Sequence, residues 1–309
     1  MDTLSQETPV VVGLGPVDEA TVAPVLEGVA RFVPDPTPDD LTHAVGAIVR
    51  AHVELDAAMF ATMPALKVVA RTGVGTERVD LEEAARRSIP VVITPGANTD
   101  AVAEGALAHL LALTKSLAPL TQLVNTGSWA ERAAVPVGDL RGGTLAILGY
   151  GRIGKAVAAL AHAFGMTCVA YDPFVTDADI PLASSVADAL AGATHVSVHL
   201  PATAETAGLI NREVISSLAP GTILVNLARG EVLDLDAALW GLENGHLGGL
   251  GLDVFPTEPP VHHRVFEHPR VILTPHVMGL TTASTAATFI QAAEGIADVL
   301  RGNTPAFQA

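Results

Sequence analysis

Three side chains of types used in acid–base and anion chemistry occur in the second half of the chain, each just beyond a predicted strand. They are Arg229, Glu258 and His276, which follow the apolar runs Thr222–Val225, Leu247–Leu252 and Val271–Leu273. An arginine fork suits a carboxylate or carbonyl oxygen, and imidazole exchanges a proton near neutrality. A carboxylate beside the imidazole favours its charged form and fixes its tautomer. These are the residue types that hydride transfer to or from a hydroxy acid needs. In that reaction a bound cofactor carries the hydride, while the protein binds the carboxylate and exchanges the alcohol proton.

A glycine-rich stretch strengthens this interpretation, since a lone arginine after a strand is usually a solvated surface residue and a lone histidine is usually structural. The apolar run from Thr144 leads into Gly149, Gly151 and Gly154 at the G-x-G-x-x-G spacing, and an alanine-rich helical pattern follows. Such glycines permit a tight turn, close approach of a pyrophosphate and close helix–strand packing. Asp172 ends the next predicted strand, about 20 residues on, where a ribose-binding acid is expected. The alternative is a glycine turn in an ordinary α/β domain, but the combination favours a dinucleotide site.

Composition and charge exclude several classes of partner. Acidic residues outnumber basic ones 33 to 17, and the net charge of −16 repels nucleic acid and anionic membranes. An anionic substrate therefore needs locally placed arginines. The single Cys168 lies in a strand pattern and is interpreted as a small buried hydrophobe. Because no signal-peptide hydrophobic region and no apolar run of membrane-spanning length occur, we expect a cytoplasmic protein that binds small molecules.

Strands that alternate with helices predict two doubly wound parallel-sheet α/β domains. A long helix is predicted over Asp100–Leu117, with several leucines on one face, and a loop is predicted over residues 121–143. The last helical pattern, Thr282–Leu300, precedes no strand and is expected to return to the first domain. We therefore predict a discontinuous, flavodoxin-like substrate domain of residues 1–98 plus 281–309. A Rossmann cofactor domain of residues 99–280 is inserted in it.

Over nearly its whole length the sequence resembles the D-2-hydroxyacid dehydrogenases, closest to the phosphoglycerate dehydrogenase and hydroxypyruvate/glyoxylate reductase branch. The motifs that carry the resemblance are Arg71-Thr-Gly-Val-Gly75, Pro95-Gly-Ala-Asn98, Gly149-Tyr-Gly-Arg-Ile-Gly154, His199-Leu-Pro-Ala-Thr-Ala-Glu-Thr206, Asn226-Leu-Ala-Arg229 and Pro275-His276. The resemblance implies that Arg229 binds substrate, Glu258 supports the histidine and His276 is the acid/base. It also implies a cleft between two domains that closes on substrate, and a homodimer.

The same resemblance implies further binding residues. It places Asp253 opposite the nicotinamide carboxamide, and it assigns other cofactor contacts to Arg152, Ile153, His199, Pro201 and Thr206. It assigns the substrate carboxylate to the amides of Val74 and Gly75, with Asn98 also in the substrate site. Arg50 and Arg71 stand where that branch binds a second anionic group, although for Arg50 a role in surface solubility is equally open.

Asp172 indicates NAD rather than NADP. Its carboxylate can accept ribose hydroxyls but repels a 2′-phosphate, and no arginine lies beside it in Tyr171-Asp-Pro-Phe174. The alternative is a turn residue before Pro173. After His276 the phosphoglycerate enzymes usually carry small residues, whereas this chain has Met278 and Leu280. We expect these two to reshape the pocket, which leaves the substrate open between a phosphorylated acid and hydroxypyruvate or glyoxylate.

Two other functions compete with a 2-hydroxyacid dehydrogenase. An NAD-sensing binding protein, related to the corepressor members of the superfamily, would keep the same three residues. A formate dehydrogenase of the superfamily replaces the glutamate partner of the histidine, so Glu258 argues against it. The spacing of His262, His263 and His268 matches no zinc pattern, and we predict no metal. Trp129 either packs locally or reaches an active site, including that of a neighbouring subunit.

Overall fold

The structure is a computed structural model that describes residues 8–309. Its chain forms two compact units. The first unit consists of the described residues up to Asn98 together with Thr281–Ala309, and the inserted unit is Thr99–Leu280. Each unit is built around its own parallel sheet, so the predicted fold class of two parallel-sheet α/β domains is confirmed.

The first unit has the strand order of flavodoxin-like folds. Its elements before Asn98 are β1 (Val10–Leu14), α1 (Glu19–Leu26), β2 (Arg31–Val33), α2 (Pro38–His43), β3 (Ala44–Val49), α3 (Ala57–Ala61), β4 (Val68–Arg71), α4 (Leu81–Arg86) and β5 (Val91–Val92). The strands pair in parallel in the order β2-β1-β3-β4-β5, which places the reversal of strand order between β1 and β3.

The inserted unit carries a six-stranded parallel sheet. Its elements are α5 (Thr99–Thr114), α6 (Leu117–Asn125), β6 (Thr144–Leu148), α7 (Arg152–Ala163), β7 (Thr167–Tyr171), α8 (Val186–Leu190), β8 (His195–Val198), α9 (Arg212–Ser217), β9 (Thr222–Asn226), α10 (Leu235–Glu243), β10 (Leu247–Leu252) and β11 (Val271–Leu273). The strand order is β11-β10-β9-β8-β6-β7, and a single parallel bridge joins Ala170 of β7 to Leu182 on the side away from β6. This is the Rossmann order with its outer third strand reduced to one bridge.

The last helix, α11 (Thr282–Leu300), packs in the core of the first unit. Phe289 and Ile296 of α11 are buried together with Val11 and Val68 of the sheet. A Cβ added at Gly295 would lie 2.4 Å from a methyl carbon of Val92, so the helix lies directly on the sheet. The first unit therefore combines segments from both ends of the chain.

The helix predicted over Asp100–Leu117 ends earlier, and the predicted loop over residues 121–143 is partly helical. Ser116 adopts a left-handed backbone conformation, with φ of 50°, and α6 begins at the next residue. Leu117 is therefore 52% exposed instead of sharing the buried face of Leu107 and Leu110. Pro119 is tolerated because it lies in the first turn of the new helix. Within residues 8–309 no single helix meets the length and hydropathy criteria for a membrane span, although α5 and α6 together, bent by 56°, do.

Candidate active site

The G-x-G-x-x-G stretch forms the turn between β6 and α7, and its three glycines meet different constraints. Gly149 has φ of +98°, and a Cβ there would lie 2.6 Å from the carbonyl oxygen of His199. A Cβ at Gly154 would lie 2.2 Å from the carbonyl oxygen of Gly149. A Cβ at Gly151 would meet nothing within 4 Å. The backbone beside Gly151 is thus open at the N-terminus of a twelve-residue helix, and this turn fits a dinucleotide pyrophosphate.

Asp172, at the end of β7, is held against this turn. Its Oδ2 accepts a hydrogen bond from the Tyr150 amide at 2.8 Å, and its Oδ1 accepts one from the Phe174 amide at 2.9 Å. Each oxygen keeps a further lone pair for a ribose hydroxyl. Below the turn, the fully buried Tyr150 donates its hydroxyl to Asp179. Burial and the Asp179 carboxylate both raise the pKa of Tyr150. No pattern in the sequence singles out this buried bond.

The segment that follows β8 lies next to the glycine turn. The His199 amide donates to the Leu148 carbonyl at 2.7 Å, and burial lowers the pKa of its imidazole to about 4. Thr206 donates its hydroxyl to the Pro201 carbonyl at 2.6 Å and accepts from the Thr203 amide at 2.8 Å. These bonds fix a tight turn. The exposed Arg152 and half-buried Ile153 stand in the first turn of α7.

Arg229 follows β9 in a loop that is fixed by two neighbours. Asn226, the fully buried last residue of β9, accepts from the Ala228 amide at 3.0 Å and donates to the Arg229 carbonyl at 2.8 Å. Gly230 lies so close to the next loop that a Cβ there would be 2.0 Å from the carbonyl carbon of Phe255. Asn226 belongs to the motif that contains Arg229, but the sequence alone assigns no site role to Asn226 or Gly230, although each stands within three positions of Arg229. Together they hold Arg229 beside the loop that follows β10.

Glu258 and His276 form a hydrogen-bonded pair at the ends of two adjacent strands. The Nδ1 of His276 lies 2.7 Å from Oε2 of Glu258, while Oε1 of Glu258 accepts from the Phe255 amide at 3.1 Å. The His276 side chain is 51% exposed. Its backbone is left-handed, with φ of 53°, which is costly for a non-glycine residue. Because Nδ1 faces the carboxylate, Nε2 is the nitrogen available for proton exchange.

The Asp253 carboxylate binds the His276 loop. The residue is 2% exposed and follows β10 directly. Its Oδ1 accepts from the Thr274 hydroxyl at 2.6 Å and from the Val277 amide at 3.0 Å, and its Oδ2 accepts from the Met278 amide at 3.1 Å. The resemblance implies that Asp253 contacts the nicotinamide carboxamide. In this structure the same carboxylate holds the His276 loop in place.

The structure places the Met278 side chain against α5. Its side chain lies across Gly105 of α5, where an added Cβ would be 2.7 Å from the Met278 Cβ, and it packs in an apolar cluster. The physical reason is the glycine, which leaves a gap in the helix surface that a flexible thioether fills. Leu280, in contrast, is 52% exposed.

Five predicted substrate-binding residues belong to the first unit, and they differ in exposure and in hydrogen bonding. Arg71 is 5% exposed, and its terminal nitrogens donate to the carbonyls of Thr72 and Ala51 at 3.0 and 2.9 Å. Arg50 is half-buried with its guanidinium 5.2 Å from the Phe289 ring centroid, and burial lowers its pKa. Of the remaining three residues, Val74 and Asn98 are exposed and Gly75 is half-buried.

The surface histidines pair with carboxylates. His262 lies 3.0 Å from Glu267, and His263 lies 3.2 Å from Asp236. Across residues 8–309, no three His, Cys, Asp or Glu side chains are grouped so that they could hold a metal ion. Arg229, Glu258 and His276, in contrast, stand beyond the carboxyl ends of β9, β10 and β11.

Comparison with known proteins agrees with this geometry. Residues 107–278 match the model of a family described as D-isomer specific 2-hydroxyacid dehydrogenase, NAD binding domain. The chain is 38% identical over 304 residues to D-3-phosphoglycerate dehydrogenase of Mycobacterium leprae, covering 96% of this chain and 57% of the relative. It is 35% identical to hydroxypyruvate reductase of Thermotoga maritima, covering 81% and 82%. A solved NADPH-dependent glyoxylate/hydroxypyruvate reductase of Sinorhizobium meliloti superposes with a TM-score of 0.85 at 28% identity, over 97% of both chains.

The chain spans little more than half the length of the curated D-3-phosphoglycerate dehydrogenases that it matches. The family model covers more than half of the chain, and its limits fall inside the inserted unit. The resemblance of the sequence motifs is thereby confirmed. The protein belongs to the D-isomer specific 2-hydroxyacid dehydrogenase family, and its inserted unit is the NAD binding domain of that family.

Proposed function

We propose that this protein is an NAD-dependent oxidoreductase that interconverts a D-2-hydroxy acid and its 2-oxo acid, with His276 as the acid/base. The observation that carries the proposal is the Glu258–His276 pair, which stands beside the Arg229 loop at the ends of adjacent strands of a dinucleotide-binding sheet. The nicotinamide, when bound, supplies or accepts the hydride.

The protein side chains exchange the alcohol proton and bind the substrate carboxylate. With Nδ1 donating to Glu258, neutral His276 presents the Nε2 lone pair and can take the alcohol proton during oxidation. In the reverse direction, protonated His276 donates from Nε2 to the carbonyl oxygen, and Glu258 stabilises the imidazolium charge. Arg229 binds the substrate carboxylate through its planar fork.

The first experiment is NADH oxidation by the purified protein with glyoxylate, hydroxypyruvate, pyruvate and phosphohydroxypyruvate. The variant His276→Ala should keep NADH affinity and lose about two to four orders of magnitude in kcat. An unchanged kcat in that variant would remove His276 from the mechanism. Absence of turnover in the unchanged protein, with NADH binding intact, would instead support the NAD-sensing alternative.

For the substrate we propose either a 3-phosphoglycerate-like acid or hydroxypyruvate/glyoxylate, the acids named for the relatives. Arg50 is the stronger candidate for a second anionic group, because the terminal nitrogens of Arg71 bind main-chain carbonyls. Arg50→Ala should raise KM for phosphohydroxypyruvate by about tenfold or more and leave KM for hydroxypyruvate nearly unchanged. Equal effects on the two acids would argue against a phosphate contact.

Preference for NAD over NADP is proposed from the Asp172 carboxylate, which is fixed beside the glycine turn by two amides. A negative charge there repels a 2′-phosphate. Asp172→Asn should therefore reduce the ratio of kcat/KM for NADH to that for NADPH by about tenfold. If the ratio is unaltered in this variant, another group sets the preference.

We also propose a homodimer that uses the exposed apolar side chains on and near α6. This helix buries none of its residues within the chain, and Leu117, Val124 and Trp129 are 52%, 62% and 62% exposed. Single surface apolar residues are common, but three on one short segment suit a protein contact. Light scattering of the protein and of Val124→Glu tests this: the variant should shift toward a monomer.

A further inference from the structure

Helix α5 contacts the His276 loop at two positions one helical turn apart. His109 and Gly105 lie on the same face of α5, and both are buried. His109 Nε2 lies 3.4 Å from the Thr274 hydroxyl, and Gly105 receives the Met278 side chain. Thr274 and Met278, which receive these two contacts, stand on either side of His276 in the sequence.

The hydrogen-bond chain that starts at His109 has a defined direction. Thr274 has a single hydroxyl hydrogen, and it donates it to Asp253 at 2.6 Å. The ring nitrogen of His109 must therefore be the donor to Thr274, so Nε2 carries the proton. Within residues 8–309, Nδ1 is buried without a hydrogen-bond partner. Burial lowers the pKa of His109, against the opposing Asp253 charge, which agrees with a neutral ring.

This series of hydrogen bonds ends at backbone amides that follow His276. Asp253 accepts from the amides of Val277 and Met278, the two residues that follow the histidine. These bonds hold the loop where His276 is forced into a left-handed conformation. Space for the imidazole of His109 is provided by Gly251 of β10, where a Cβ would lie 2.8 Å from Nδ1.

The apolar contact supports the same loop. Glycine in the middle of a long helix weakens the helix relative to alanine, so its presence at Gly105 calls for a reason. A Cβ at this position would lie 2.7, 2.9 and 3.0 Å from Cβ, Cγ and Sδ of Met278. The Met278 side chain thus occupies the gap and fixes the C-terminal side of the loop.

We propose that His109 and Gly105 are positioning residues, through which α5 sets the place of the His276 imidazole by way of Thr274, Asp253 and Met278. This inference rests on the proposed role of His276 as the acid/base. His109 acts through the polar chain, whereas Gly105 acts through the shape of the helix surface.

The test of the polar contact compares three variants of the full-length protein. His109→Leu removes the donor, while His109→Gln retains an amide donor near the position of Nε2. His195→Leu is the matched control, because His195 is also buried, bonds Thr114 of the same helix at 3.1 Å and lies at the opposite, amino end of its strand. His109→Leu should lower kcat by about 10- to 100-fold with little change in KM. His109→Gln should recover most of kcat, and His195→Leu should retain it.

A second readout does not depend on turnover. Hydrogen exchange of the peptide that covers residues 274–280 should quicken by about fivefold or more in His109→Leu, relative to the unchanged protein and to His195→Leu. Unchanged exchange there, or equal losses of kcat in His109→Leu and His195→Leu, would overturn the positioning role. If the unchanged protein turns over no 2-oxo acid, the proposed function fails, and the exchange measurement still decides whether α5 holds the loop.

The apolar contact is tested by a pair of substitutions. Gly105→Ala should lower kcat by about tenfold or more, since it displaces Met278. The double variant Gly105→Ala with Met278→Ala should recover part of this loss. Gly241→Ala is the control, a buried helical glycine whose added Cβ would lie 2.5 Å from Ile215, away from the loop. Absence of recovery in the double variant, or an equal loss in Gly241→Ala, would remove Gly105 from the proposal.

Discussion

Gly230 joins the Arg229 loop to the loop that carries Glu258, and Gly230→Ala should separate them. An added Cβ would lie 2.0 Å from the carbonyl carbon of Phe255, 2.3 Å from its oxygen and 2.3 Å from the nitrogen of Pro256. All three are backbone atoms, so no side-chain rotation can relieve the overlap. The two loops themselves must move apart.

The size of that movement sets the expected loss. The nearest contact must lengthen from 2.0 Å to the 3.4 Å at which ordinary contact begins, which is a displacement of roughly 1.4 Å between Arg229 and the Glu258 loop. A misplacement of about 1 Å near reacting groups can reduce the rate about 100-fold. We therefore expect kcat/KM to fall by about 100-fold or more, or ~2.7 kcal/mol of transition-state stabilisation. Overpacking should also lower the free energy of unfolding by about 1–3 kcal/mol.

Gly248→Ala separates the two effects. Its added Cβ would lie 2.2 Å from the carbonyl oxygen of Gly221, a backbone clash of similar severity near the amino ends of β9 and β10. The assay is steady-state NADH oxidation per mole of folded protein, with urea unfolding of both variants. Gly230→Ala with kcat/KM within about twofold of the unchanged protein would refute the reasoning. So would an equal loss of kcat/KM in Gly248→Ala.

Three further predictions concern the glycine turn, the cysteine and the Arg229 loop. Gly151→Ala should unfold at nearly the same urea concentration, with a loss of about 1 kcal/mol or less, because its Cβ meets nothing within 4 Å. It should nevertheless weaken NADH binding by about tenfold or more in a fluorescence titration, whereas Gly154→Ala, whose Cβ meets the Gly149 oxygen, should mainly lose stability. Burial raises the pKa of Cys168 to about 11, so only about one thousandth is thiolate at pH 8. Its thiol should react with Ellman's reagent only after denaturation. Asn226→Ala should lose two buried hydrogen bonds and about 2 kcal/mol in urea unfolding, and kcat/KM should fall because the Arg229 loop is released.

The general position of the candidate site could be predicted because it depends on strand ends. Arg229, Glu258 and His276 each follow an apolar run, and parallel strands present their carboxyl ends at one edge of the sheet. The glycine spacing likewise predicts a turn, since Gly149 and Gly154 leave no space for a side chain. Both patterns are local in sequence, so the amino-acid types alone reveal them.

What could not be predicted depends on contacts between distant segments. Asp253 is an acidic residue after a strand, and only the fold reveals that its carboxylate binds amides 24 and 25 residues further along. The Met278 side chain fills the gap at Gly105, and these two residues are separated by still more of the sequence. The prediction for the end of α5 is wrong for a different reason: Ser116 adopts a left-handed conformation, which its residue type does not favour.

The arrangement of the three loops suggests which positions control geometry and which are free to vary. Asn226 holds the Arg229 loop, and Gly230 places that loop against the backbone of Phe255. From the next strand, Asp253 holds the loop of His276. Each loop is thus bound by a buried group at its own or the adjacent strand end, and the separation of the loops follows from the spacing of neighbouring strands, about 4.8 Å. Substitutions at exposed positions such as Leu280 should therefore change substrate preference more than kcat. The reason is that buried groups at the strand ends hold the loops of Arg229, Glu258 and His276 in place.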